Sequence, residues 1–156
     1  MAIEGTTFRP SEMPRTPPGA TAPPAARRLM AVPPRLPIPA GDWQTLVGTR
    51  ANTVVVADDD AAMSVWTAVW PSLLKPVYWI DADRLSLPRQ SAGTLILQRA
   101  HALSGSDQQR MFDWLDRDAR VTRILTTTPR ALFPLVEDGT FLEALYYRLN
   151  MLLLIL

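Results

Sequence analysis

The stretch Thr53-Val-Val-Val-Ala-Asp-Asp-Asp-Ala-Ala-Met-Ser64 decides the fold. A short, uninterrupted β-branched run fits a strand buried on both faces, and the acids and small residues after it fit the start of a helix. The same alternation recurs through the rest of the chain. Apolar runs predict strands over Thr53 to Ala57, Val77 to Asp81, Thr94 to Gln98, Arg123 to Thr127 and Met151 to Leu156. Helical spacing predicts helices over Ala61 to Trp70, Ser106 to Asp116, Arg130 to Val136 and Phe141 to Leu149. Strands alternating with helices predict an α/β domain, a three-layer αβα sandwich around a five-stranded parallel sheet. Met151 to Leu156 suits a central buried strand. Trp66, Trp70, Trp79 and Trp114 are expected in the core or covering the sheet. Ser104-Gly105-Ser106 reads as the cap of the helix that carries Met111, Phe112, Trp114 and Leu115 on one face.

Upstream the composition changes. Ten of the fifteen prolines fall within residues 1–40, where missing donors and fixed φ exclude a long helix or a central strand. The domains expected are a disordered Pro/Arg-rich arm over 1–40 and one folded unit over 41–156. The arm carries Arg9, Arg15, Arg27, Arg28 and Arg35 against Glu4 and Glu12; a solvated leader with no specific partner is the simpler expectation, with docking into an aromatic groove or against an acidic surface as the alternative. Arg27-Arg28 is not a twin-arginine export signal, because prolines interrupt the apolar stretch that follows.

Composition also excludes. The 156 residues include no cysteine and one histidine, His101, so disulfide scaffolds, cysteine-ligated metals and His-rich zinc sites are out. A net charge of +1 argues against direct nucleic-acid binding by phosphate neutralisation. No apolar run reaches the ~18 to 20 residues of a membrane span, and the expected location is the cytoplasm. Fifteen of the sixteen basic residues are arginine; the one lysine is Lys75.

In an open parallel sheet, ligands gather beyond the carboxyl ends of the strands, where helix amino termini supply N–H groups. A phosphate cradle after the first strand would need glycines and a lysine. The turn Ala57-Asp58-Asp59-Asp60-Ala61-Ala62-Met63-Ser64 has neither. Its three acids repel a nucleotide and complement the helix dipole themselves. Two of them could instead hold Mg²⁺, but a helix cap is the simpler reading, and no metal or cofactor is expected. His101 lies near no nucleophile or carboxylate signature and reads as a surface or packing histidine.

Gly139-Thr-Phe-Leu-Glu-Ala-Leu-Tyr-Tyr-Arg-Leu-Asn150 resembles the G-x-F-R-x-D-L-Y-Y-R-L-N block of the AAA+ domain of sigma-54-dependent transcription activators, a P-loop ATPase family. Leu132, Leu135 and Val136 keep the family's spacing before it. Ala92-Gly-Thr-Leu-Ile-Leu-Gln-Arg-Ala100 is similar to G-G-T-L-F-L-D-E-I, Gln108 keeps the register of the next helix, and Pro76 to Leu85 resembles the second-strand segment. The resemblance covers about half the chain and implies strand order 5-1-4-3-2.

The departures fall on the positions that do the chemistry in that family. Met63 stands where the phosphate-binding lysine belongs, and Ala57, Asp60 and Ala62 stand on the glycines. Gln98 and Arg99 replace the acidic pair that holds Mg²⁺ and polarises water, and Pro129 replaces the sensing asparagine. Leu142 replaces the first arginine finger, while Arg148 remains in place of the second. Only seven residues separate Leu85 from Gly93, with no room for the sigma-contacting loop, and neither a lid nor a helix-turn-helix is expected after the fifth strand.

The resemblance thus implies a degenerate, truncated relative: a pseudo-ATPase rather than an enzyme. It would be a regulatory or scaffold protein that acts by protein–protein contact, modulating a sigma-54-type activator or another AAA+ partner. Tyr146, Tyr147 and Arg148 are the expected interface, toward a second copy or an intact AAA+ protein. Two alternatives remain: a nucleotide-binding ATPase with an atypical cleft, and a receiver-like adaptor that does not use phosphorylation. The second rests on residues 54–63, which resemble the first strand and acidic turn of response-regulator receiver domains. In that alignment Gln98 takes the place of the phosphoacceptor aspartate, and the strand order would be 2-1-3-4-5.

Overall fold

The computed structural model describes residues 36–89, 93–118 and 122–156. The expected arm lies outside the described residues as far as position 35, and so does Ala92. Five strands, β1 (Thr53–Val56), β2 (Val77–Asp81), β3 (Gly93–Gln98), β4 (Thr122–Thr128) and β5 (Leu152–Ile155), form one sheet in the order β2-β3-β4-β1-β5. All four pairings are parallel. This is the 5-1-4-3-2 order; the receiver order is not found.

The helices are α1 (Ala40–Gly48), α2 (Asp59–Val69), α3 (Gly105–Asp118), α4 (Phe133–Glu137) and α5 (Glu143–Leu149). A parallel sheet must be covered on both faces, and the strand sequences meet that need by alternation within each apolar run. Val55, Ile96, Leu125 and Leu154 point to one face, against Trp43 and Leu46 of α1 and Val65, Trp66 and Val69 of α2. Val54, Leu95, Leu97 and Ile124 point to the other, against Met111 and Leu115 of α3 and Leu145 and Leu149 of α5. Each fully buried leucine or isoleucine contributes roughly 1.5 to 3 kcal/mol.

Two expectations are corrected. β5 is an edge strand, paired only to β1 among the described residues, and Leu153 and Ile155 stand exposed. Trp79 sits on the opposite edge strand, β2, and is 37% exposed, whereas Trp43 and Trp66 are buried. α1 is an addition. Its Pro39 entry and Gly41 look like the end of an extended arm, but Trp43 and Leu46 fall one turn apart on a buried face, and Ile38 before them is buried too.

Three polar side chains tie these layers together. Gln108 of α3 is 4% exposed; its amide donates to the carbonyls of Leu103 and Thr140 at 3.0 Å each, and its oxygen accepts the Leu142 N–H at 2.6 Å. That last N–H opens α5, whose entry residue Leu142 has no side-chain cap of its own. Asn52 accepts from the Ile124 N–H at 2.9 Å and donates to the Arg148 carbonyl at 2.8 Å, joining β4 to the end of α5. Arg123 of β4 is buried and donates to the carbonyls of Leu46 and Ala51. It thereby supplies the positive charge that the last turn of α1 lacks. Burial lowers its guanidinium to about 10, still far above neutral, so it remains a cation.

Replacing Gln108 by leucine strands two carbonyls and one N–H in a buried seam. At about 1 to 3 kcal/mol for an unsatisfied group, Gln108→Leu is expected to lower unfolding stability by roughly 2 to 4 kcal/mol. Urea denaturation measures it; a loss below ~0.5 kcal/mol would show that the seam is not a fixed joint.

Candidate functional site

The nine residues read from sequence as the altered nucleotide site lie together at the carboxyl edge of three adjacent strands. Ala57 continues β1, its N–H donating to the Thr128 carbonyl of β4 at 3.0 Å, and is buried. Asp58 then turns the chain with φ −67° and ψ 169°, and its Oδ1 accepts the Ala61 N–H at 2.8 Å. Asp58 is therefore the cap of α2, with Asp59 and Asp60 in the first turn. All three acids are exposed, and the Ser64 hydroxyl is spent on the Asp60 carbonyl at 2.9 Å. Met63, one turn in, points outward and is 46% exposed. Gln98 ends β3, and Pro129 follows β4 in an exposed turn.

Arg99 is the least ordinary residue of the edge. It adopts the left-handed conformation, φ 54° and ψ 44°, which costs a non-glycine residue about 1 kcal/mol or more. Its guanidinium reaches Asp81 Oδ2 and Asp83 Oδ2, both at 2.6 Å, while its N–H points to Thr127 Oγ1 at 3.4 Å. The pairing of β2 with β3 sets Asp81 beside Gln98, which brings these carboxylates within reach. Asp81, by hydrogen bond and charge, raises the Arg99 guanidinium further, with smaller contributions from Asp83 and Asp59. Burial alone would raise the Asp81 carboxyl, but the Asp83 N–H and Arg99 outweigh it and hold the group below the usual carboxylate range. Arg99, whose charge is also felt by Asp59 of the turn, is thus engaged by acids of its own chain.

His101 sits in the short 3-10 turn Ala100–Ala102 after Arg99. Its Nδ1 is buried without a partner among the described residues. Burial lowers its pKa, Arg130 and Arg99 lower it further, and Asp83 opposes them. Among the described residues no three His, Asp or Glu side chains are placed to hold one metal ion.

Tyr146, Tyr147 and Arg148 lie elsewhere, on α5 over the Val54 face of the sheet. Tyr146 is not a surface residue: it is buried, its hydroxyl accepting from Asn150 at 2.7 Å and its ring packing 5.7 Å from Phe133. Tyr147 meets Tyr146 edge-on at 5.3 Å and is 59% exposed. Arg148 is half exposed and held at 2.7 Å by Asp116 of α3. Phe133, 44% exposed beside this pair, is an aromatic contact that sequence reasoning missed, because it precedes Pro134 at the start of a short helix.

No protein-family model matches the chain, and no curated protein matches it. Its fold resembles part of NtrX from Brucella abortus. NtrX in complex with ATP aligns with a TM-score of 0.56 at 16% identity, over 69% of this chain and 31% of the NtrX chain. A second NtrX structure gives 0.55 at 18% identity, over 72% and 34%. The complex of NtrX with ADP gives 0.55 at 16% identity, over 69% and 32%. The chain thus spans about a third of NtrX, and the likeness is one of fold.

Two outcomes follow from this geometry. Removing the cap with Asp58→Ala is expected to cost about 0.5 to 2 kcal/mol, whereas Asp58→Asn keeps most of it; thermal unfolding of the two variants separates them, and equal losses would deny the cap. For His101 the folded state favours the neutral ring, so the folded pKa lies below the unfolded 6.5. Its stabilisation is present above pH 6.5 and is lost as pH falls through the folded value. Wild type is expected to lose stability relative to His101→Gln between about pH 7 and pH 5; parallel denaturation curves would contradict this.

Proposed function

We propose that the chain is a non-hydrolysing relative of AAA+ domains that takes no nucleotide and acts by protein–protein contact. Its role is regulatory or that of a scaffold, bound to a second copy or to an intact AAA+ protein such as a sigma-54-type activator. The observation that carries this reading is the filled amino terminus of α2. In a fold of this class, phosphates meet the N–H groups of the helix that follows β1. NtrX holds ATP or ADP in two of its structures. In this chain the Ala61 N–H is bonded to Asp58 Oδ1, and Asp59 and Asp60 stand beside it.

Magnitudes support exclusion. A carboxylate about 4 Å from a phosphate costs on the order of 1 kcal/mol in water and 4 at the dielectric of a protein surface. Millimolar binding amounts to only about −4 kcal/mol in total. On that scale the three acids at the turn oppose a phosphate by an amount comparable to that sum in water and above it at the surface dielectric, while Arg99 is engaged by Asp81 and Asp83. The contact reading is supported by the Phe133, Tyr147 and Arg148 patch, since tyrosine and arginine dominate binding hot spots. The exposed Arg148–Asp116 pair is worth about 0.2 to 1 kcal/mol, so a partner's carboxylate could replace Asp116 at small cost.

Calorimetric titration with ATP and Mg²⁺ is expected to give no saturable heat up to the millimolar range. A sub-millimolar Kd would establish the nucleotide-binding alternative. On the contact side, Tyr147→Ala and Arg148→Ala are expected to reduce recovery of a tagged chain's partner several-fold, and unchanged recovery would count against this surface.

A further inference from the structure

β5 is open along its outer side among the described residues. Leu152 donates to the Asn52 carbonyl at 3.0 Å and Leu156 to the Val56 carbonyl at 2.9 Å. In an evenly spaced parallel ladder the backbone N–H and C=O groups of Leu153 and Ile155 then point away from β1. The side chains of those residues are 42% and 68% exposed, and Met151 is 69% exposed. Edge strands are ordinarily guarded by charges, proline or a bulge. Met151 to Leu156 contains neither a charged residue nor a proline. This flank is suited to accept another strand.

Three observations point to the occupant. The first is where the chain enters. α1 lies against β5, and its last turn stands at the amino ends of the strands, because Arg123 near the start of β4 reaches the Leu46 carbonyl. α1 therefore runs opposite to the strands, and Leu36, packed at the rim of the cluster that holds Leu154, comes in toward the carboxyl end of β5. The second is reach. Ala25 to Val32 is the proline-free run nearest to Leu36, and it ends in Leu29-Met-Ala-Val32. The four residues from Val32 to Leu36 can span up to about 14 Å, well beyond the ~4.8 Å between neighbouring strands.

The third is handedness. β1 crosses to β2 through α2, which covers the Trp66 face. A strand outside β5 that led through α1 to β1 would cross in the same direction over that same face. It would have the same hand, the right-handed one that parallel crossovers adopt.

We propose that Arg28 to Val32 adds to β5 of the same chain as a sixth parallel strand. Its backbone takes the open groups of Leu153 and Ile155, and its apolar residues cover their side chains. Amide hydrogen exchange followed by NMR on the full chain tests this. The Leu153 and Ile155 amides are expected to exchange on the order of a hundredfold more slowly in wild type than in Met30→Pro, which removes a donor from the added strand. Phe8→Pro, in the other long proline-free run, should leave that protection unchanged. Equal exchange in wild type and Met30→Pro, or loss of protection in Phe8→Pro, would overturn the proposal. So would protection that rises with protein concentration, which would instead show a second copy on the edge.

Discussion

Every parallel pairing requires a crossover, and every crossover helix that follows a strand begins at the carboxyl edge of the sheet with unpaired N–H groups. How those groups are satisfied decides what the edge can bind. After β1 they meet a carboxylate of the chain itself, with Asp58 on the Ala61 N–H at 2.8 Å. After β3 the chain turns through Arg99, whose charge is spent on Asp81 and Asp83. The two features complement each other: acids occupy the helix terminus, and the neighbouring cation faces away to acids of its own. At this edge the chain's own acids therefore cap the helix and hold the cation.

The same sheet separates this edge from the surface proposed for partner contact. Phe133, Tyr147 and Arg148 sit on α4 and α5, over one face, and not among the strand ends. Gln108 joins α3 to the start of α5, and Asn52 joins the end of α5 to the sheet. The patch is therefore tied to the core, and the contact proposed there would carry little ordering cost.

The strands were legible because each is a dense Val, Ile, Leu or Thr run, and the observed limits fall within a residue or so of those read from sequence. That the acids after β1 cap a helix was legible, but the helix was expected from Ala61 and begins at Asp59, so sequence did not single out Asp58. What sequence could not show is where distant residues meet. Arg123 gives no local sign that it will finish α1, and Arg99 finds Asp81 and Asp83 only through the β2–β3 pairing. Tyr146, followed by the exposed Tyr147 and Arg148, is buried because the helical turn carries it toward Phe133 and the sheet. α1 was hidden by proline and glycine at its start, although Trp43 and Leu46 carried the right spacing.

The proposed function requires an α2 terminus closed to phosphate. Amide chemical shifts of Ala61 and Ala62, followed by NMR while ATP and Mg²⁺ are added, read that terminus directly. Both resonances are expected to stay in place to millimolar nucleotide. A saturable displacement of either would show phosphate seated on the helix and contradict the proposed function.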